Sequence, residues 1–187
     1  MITAHVVGNG PSWVDFKRLS DQDFVIGCNV TKVLDADVTM MSDISLCNQI
    51  QHHRRHNRKP KLPDLPPVIA NPGVVKWLDN SINDCHGMTV YSTYRRPEGV
   101  RSLEMSSAHY GVLWLIDHGY TDIHVWGIDS YFVNHTHSYT DKIKISKIKK
   151  DPVRVSEVAY GWKDKWDEIM KGNPQVQITL HAPIDYS

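Results

Sequence analysis

The sequence predicts an α/β fold: a doubly wound, mostly parallel β-sheet with helices on both faces, and a long segment in the position of a lid. Two observations carry this. Short apolar runs rich in β-branched residues recur along the chain and read as buried strands. The clearest helix pattern, residues 106–118, leads almost at once into the next such run, which is half of a βαβ unit. A length of 187 residues at 41% apolar composition suffices for one domain with a core, so 1–187 is taken as a single domain.

Taken in order, the expected strands are "ITAHVVG", "DFVIGCN", "DVTMMSD", "PPVIAN", "MTVYST", "DIHVWGID" and "QVQITLHA". The first breaks sharply into "GNGPS", where Pro11 and Ser12 favour a helix start at Trp13. Residues 51–61, "QHHRRHNRKPK", hold five Lys or Arg and no acid, and read as a solvated helix face with a stiff proline-rich exit. In 106–118, Ser106 or Ser107 can cap a helix whose apolar body is Tyr110, Val112, Leu113, Leu115 and Ile116, closed by Gly119. Residues 132–155 are polar, histidine-bearing and lysine-rich; a segment of that length leaving a strand end is a lid or a plain surface loop. Beyond it, "SEVAYGWKDKWDEIMKG" is an amphipathic helix with Trp162, Trp166, Ile169 and Met170 on its core side.

Lys plus Arg and Asp plus Glu both total 21, so no global field favours nucleic acid or an anionic membrane. No apolar run approaches the roughly 20 residues of a spanning helix, and the first residues lack the layout of a secretory signal. A cytoplasmic protein is expected. Cys28, Cys47 and Cys85 form no metal-type pair and suggest no disulfide framework.

The polar residues cluster at strand ends. Gly8 and Gly10 let the backbone come close to a ligand, and a strand ending in such a turn directs N–H groups outward, which suits phosphate or ribose oxygens. Asn9 and Ser12 belong to the same turn, Asn29 ends the second strand, Ser42 and Asp43 the third, and Asp129 the sixth, with Tyr131 just beyond. In an open parallel sheet the carboxyl ends of the strands form one rim, so these side chains are expected to converge where ligands of doubly wound proteins sit. "GNGPS" is neither GxGxxG nor a Walker motif, and each strand-end residue taken singly also fits a turn.

"VVGNGPSW", "IGCN", "SSAHYGVLWLIDHGYTDIHVWGIDSY" and "LHAP" together resemble, in order and spacing, the bacterial sialyltransferases of glycosyltransferase family 42 and their short, phage-borne relatives. The resemblance covers the first 45 residues and 105–131, and the last strand loosely. It implies a Rossmann-like fold that binds a nucleotide sugar of the CMP type without a metal or other cofactor, and passes the sugar with inversion to an acceptor hydroxyl. Asn9 and Asn29 would touch ribose, base or phosphate, and Ser107 with its helix N-terminus would meet the donor sugar or nucleotide. Tyr131 and Tyr139 match tyrosines that bond the departing phosphate. The family's general-base histidine has no counterpart between Ser138 and Leu180; His135 and His137 on the lid segment are the candidates for a relocated base. Ala108 stands where the family has glycine.

Other readings compete. His135 and His137 form an HxH that could hold zinc with Asp129, without support from CxxC or HExxH. Asp35 and Asp37 in "LDADV" resemble a metal-holding DxD but precede their strand, and read as a helix end and turn. A magnesium-dependent phosphotransfer enzyme on the same skeleton, or a non-catalytic nucleotide-binding protein that sequesters its ligand, are the alternatives. The acceptor is unspecified, and a homo-oligomer is compatible with the sequence.

Overall fold

The structure, a computed structural model, describes residues 3–31, 33, 35–55, 65–80, 88–95, 97–100, 105–132 and 152–182. Its strands are β1 (Ala4–Val7), β2 (Phe24–Cys28), β3 (Val38–Met41), β4 (Val68–Ala70), β5 (Val90–Thr93), β6 (Asp122–Trp126) and β7 (Gln177–Leu180). They form one sheet in the order β5-β4-β3-β2-β1-β6-β7, with every pair parallel. Each apolar run of the sequence thus supplies a strand, and the expected mostly parallel sheet is wholly parallel.

Parallel neighbours need crossovers, and helices supply most of them. Helix α1 (Ile44–Arg55) joins β3 to β4, α2 (Pro72–Asn80) joins β4 to β5, and α3 (Ser107–Asp117) joins β5 to β6. A short α4 (Asp129–Phe132) follows β6, and α5 (Pro152–Gly172) precedes β7. The chain leaves β1 through a 3-10 turn, Pro11–Asp15, rather than an α-helix starting at Trp13.

Strand alternation sends side chains to two apolar layers. Ala4, Val6, Ile26, Met40, Ile69, Ile123 and Val125 pack with α3 and Trp166 on one face. On the other, Val7 and Val25 lie with Trp13, Phe16 and Trp126, while Met41, Val68 and Ala70 lie with Leu46, Cys47 and Ile50 of α1. Both faces are covered, as an all-parallel sheet demands. One polar side chain sits in β1 itself: His5 is fully buried. Trp126 Nε1–H donates to its Nδ1 at 3.3 Å, which leaves Nε2–H facing Asp23 Oδ2 at 3.2 Å, so the ring is satisfied on both sides.

Helix α3 starts where its capping signal stands. Ser106 is the N-cap, its hydroxyl accepting from the His109 N–H, and Gly119 at φ +82° ends the segment. The strands run outward from β1 in both directions, β2 to β5 on one side and β6 then β7 on the other. The winding therefore reverses between β1 and β6, and the crevice outside their carboxyl ends is where such a sheet leaves room for a ligand.

Candidate functional site

At that reversal the loops after β1 and β6 lie against each other. Gly8 N donates to Trp126 O at 2.8 Å and Gly10 N to Gly127 O at 2.9 Å. Gly127 adopts φ +64°, and a Cβ on Gly10 would stand 2.0 Å from Asp129 Oδ2 and 2.6 Å from Gly127 O. The Asp129 carboxylate, 1% exposed, accepts from Ser12 N at 3.2 Å and Ser12 Oγ at 2.9 Å. Gly10 and Ser12, expected to face a ligand, thus have their close contacts with the neighbouring loop.

In front of this seam opens a small cleft of about 40 Å³. Its walls are Gly8 and Asn9 after β1, Cys28 and Asn29 at the end of β2, Gly127 to Asp129 after β6, Ser106 to Ala108 at the start of α3, and Trp162 and Trp166 of α5. Asn9 is 6% exposed; its Nδ2 donates to Cys28 O at 2.8 Å, while its Oδ1 is buried with no hydrogen-bond donor among the described residues. A buried acceptor left this way costs about 1–3 kcal/mol, which a ligand donor would recover.

Asn29 holds the left-handed conformation, φ +56°, which asparagine tolerates better than most residues. Its N–H donates to Met40 O at 2.9 Å and its carbonyl accepts from Thr39 Oγ at 2.7 Å, so the backbone is fixed on both sides. Ser107 Oγ–H donates to Asn29 Oδ1 at 2.9 Å; with that proton committed, Ser42 Oγ–H donates to Ser107 Oγ, also at 2.9 Å. Ser42 is fixed in turn by Asn71, whose Nδ2 donates to the Ser42 carbonyl. Three separate strand ends and a helix start are joined in one polar chain, which leaves the Asn29 Nδ2 as that side chain's own donor. Ser107 and Ala108 add first-turn backbone of an 11-residue helix, the end that favours an anion.

Two titratable groups beside the cleft are held neutral. The Cys28 thiol is pushed up to about 12 by burial. His109, fully buried, is pushed down to about 3, chiefly by burial and secondarily by Lys165 against the opposing pull of the Trp162 carbonyl. It does not line the cleft and is no base.

Two solved structures share this fold. A sialyltransferase CstII from Campylobacter jejuni, in complex with the substrate analogue CMP-3FNeuAc, is 16% identical with a TM-score of 0.57, over 98% of this chain and 83% of that one. Monomeric CstII is 17% identical with a TM-score of 0.54, over 97% and 81%. No family model and no curated protein matches the chain.

Of the residues singled out from sequence, Gly8, Asn9, Asn29, Ser107 and Asp129 line the cleft, and Ser42 adjoins it through Ser107. Asp43 is exposed at the start of α1, where its carbonyl accepts from Cys47 N. Tyr131 faces α5: its hydroxyl donates to Asp167 Oδ1 at 3.4 Å, and Lys163 Nζ lies 5.5 Å from its ring. Burial and the Asp167 carboxylate raise the phenol above its ordinary value. His135, His137, Tyr139 and the lid segment from 133 to 151 lie outside the described residues, as do 56–64 of the basic stretch and Cys85. The Asp35 and Asp37 pair meets Arg18. Among the described residues no three metal-binding side chains gather, and no helix is long and apolar enough to cross a membrane. Ser106, Trp162 and Trp166 are cleft walls that sequence reasoning misses; two tryptophans one helical turn apart read as packing alone.

Proposed function

We propose that this cleft binds a cytidine-type nucleotide and that the protein transfers a sugar from a CMP-sugar to an acceptor hydroxyl, with inversion and without a metal. The observation that carries the reading is Asn9 Oδ1, a buried acceptor without a donor among the described residues, at the sheet's winding reversal beside Asn29 and the start of α3. The shared fold with CstII, determined with a CMP-sugar analogue, supports the choice of ligand.

The chemistry follows from where charge develops. As the bond to the sugar breaks, an oxocarbenium-like centre forms and negative charge collects on the leaving phosphate. Fixed neutral donors stabilise it without reorganising. Asn29 Nδ2 and the first-turn N–H groups of Ser107 and Ala108 are such donors, while Asn9 Oδ1 accepts from a ribose hydroxyl or an exocyclic amine. Tyr131, kept protonated, would exchange Asp167 for a phosphate oxygen; from the family resemblance Tyr139 would bond the same phosphate, and His135 or His137 would take the acceptor's proton.

Isothermal titration with CMP, CMP-sialic acid, UMP, GDP and NAD, each in EDTA and in magnesium, tests the binding. Tight binding of the CMP compounds alone, unchanged by EDTA, is expected; a response only with magnesium overturns the reading in favour of phosphotransfer. Release of CMP from CMP-sialic acid tests turnover. The bond between Tyr131 and Asp167 favours one second reading, a nucleotide-sequestering protein, and binding without CMP release would establish it.

A further inference from the structure

We propose that His109 is a positioning residue of the cleft: a single imidazole ties the α3 wall to the α5 wall, so ligand affinity depends on a side chain that never touches the ligand. That consequence rests on the nucleotide reading above; the tie itself does not.

The tautomer is fixed by the partners. Ser106 N–H donates to His109 Nδ1 at 2.9 Å, so Nδ1 is an acceptor and the ring proton is on Nε2. Nε2–H then donates to Trp162 O at 3.0 Å, and Ser106 Oγ lies 2.8 Å from Nδ1. The ring also stacks on Trp166, centroids 4.1 Å apart. Thus Nδ1 holds the residue preceding Ser107 and Ala108, the stretch that faces the cleft, and Nε2 holds the main chain of the helix supplying the other wall. In an ordinary capping box the third helical residue is Glu or Gln and reaches only its own N-cap. Histidine has a second nitrogen at the far edge of the ring, and here that nitrogen crosses to another helix.

A protonated ring would turn Nδ1 into a donor facing the Ser106 N–H, so the tie exists only in the neutral state. Replacement by leucine keeps bulk and removes both hydrogen bonds. Replacement by glutamine keeps an acceptor for Ser106 N–H and a donor for Trp162 O.

Hydrogen exchange of the unliganded protein tests the tie. His109→Leu should speed exchange of the Ser106 amide by about tenfold or more, and His109→Gln should restore it to within about threefold, the scale of one or two lost hydrogen bonds. CMP titration well below each variant's unfolding midpoint tests the consequence, with an affinity loss of about tenfold for leucine and near-native affinity for glutamine. Unchanged exchange in the leucine variant, or a glutamine variant as impaired as leucine, overturns the tie. Wild-type affinity in a leucine variant with faster exchange overturns its role in binding. If the wild type binds no CMP, the nucleotide reading falls and with it the role in affinity, while exchange still decides the tie. Should the leucine variant fail to fold, His109→Asn keeps an acceptor near Ser106 and loses the reach to Trp162; it must then bind CMP more weakly than wild type, and equal binding overturns the proposal.

Discussion

Lowering the pH from 7 to 5 should destabilise the protein through His109, by an amount the structure fixes. The unfolded chain binds a proton at this residue near pH 6.5, whereas the buried ring resists protonation to about 3. Between those values the unfolded state holds more protons, so acidification favours unfolding. At pH 5 the folded ring is still neutral and the unfolded one almost wholly charged, which works out to about 2 kcal/mol lost relative to pH 7. His5 and His181 are also held below their ordinary values, first by burial, and add in the same direction. Burial alone would raise Asp23, but hydrogen bonds from His5 and from the Ser20 and Leu19 N–H groups outweigh it; its net lowering acts only below its ordinary value near 3.8. Urea unfolding of the wild type and His109→Gln at both pH values isolates the term, because the other groups are common to both. The wild type should lose about 2 kcal/mol more than the variant. Equal losses would refute the assignment of a buried neutral ring.

Other consequences can be measured directly. Gly10→Ala pushes a methyl into Asp129 and the Gly127 carbonyl and should cost about 1–3 kcal/mol by urea unfolding, with an unchanged midpoint contradicting the seam between the two loops. Asn29→Gly keeps the left-handed backbone and should unfold close to wild type, whereas Asn29→Val should lose about 1–2 kcal/mol; both should weaken CMP by about tenfold in calorimetry. Asn9→Ala should weaken CMP at least as much while changing stability little, because loss of the Nδ2 bond to Cys28 O is offset by removal of a buried Oδ1 without a donor among the described residues. EDTA should leave CMP affinity unaltered, and a tenfold loss on chelation would point to a metal in the site.

The sheet was legible because parallel strands buried on both faces leave apolar, β-branched stretches that little else explains. Helix α2 and the first part of α1 were not. In "ISLCNQIQHHRR" the buried apolar contacts described are Leu46, Cys47 and Ile50, too few to mark a period against its polar ground. In "PGVVKWLDN" the opening Pro-Gly reads as the end of the preceding strand. The rim was legible in outline: Asn9, Asn29 and Ser107 come together from three distant stretches because the topology aligns all carboxyl ends. The bond from Ser12 to Asp129 was not legible, for a physical reason. A glycine-flanked turn looks the same in sequence whether it closes on a ligand or on a second loop, and here its partner is Asp129, 117 positions away. Nor does an aromatic pair reveal which neighbour it faces, so Trp162 and Trp166 read as packing.

The seam between the β1 and β6 loops is built from peptide groups. Two of its cross-loop bonds, Gly8 to Trp126 and Gly10 to Gly127, run from amide to carbonyl, and what they require of the sequence is smallness at a few positions. The floor beneath the cleft can therefore keep its shape while the side chains standing on it are exchanged.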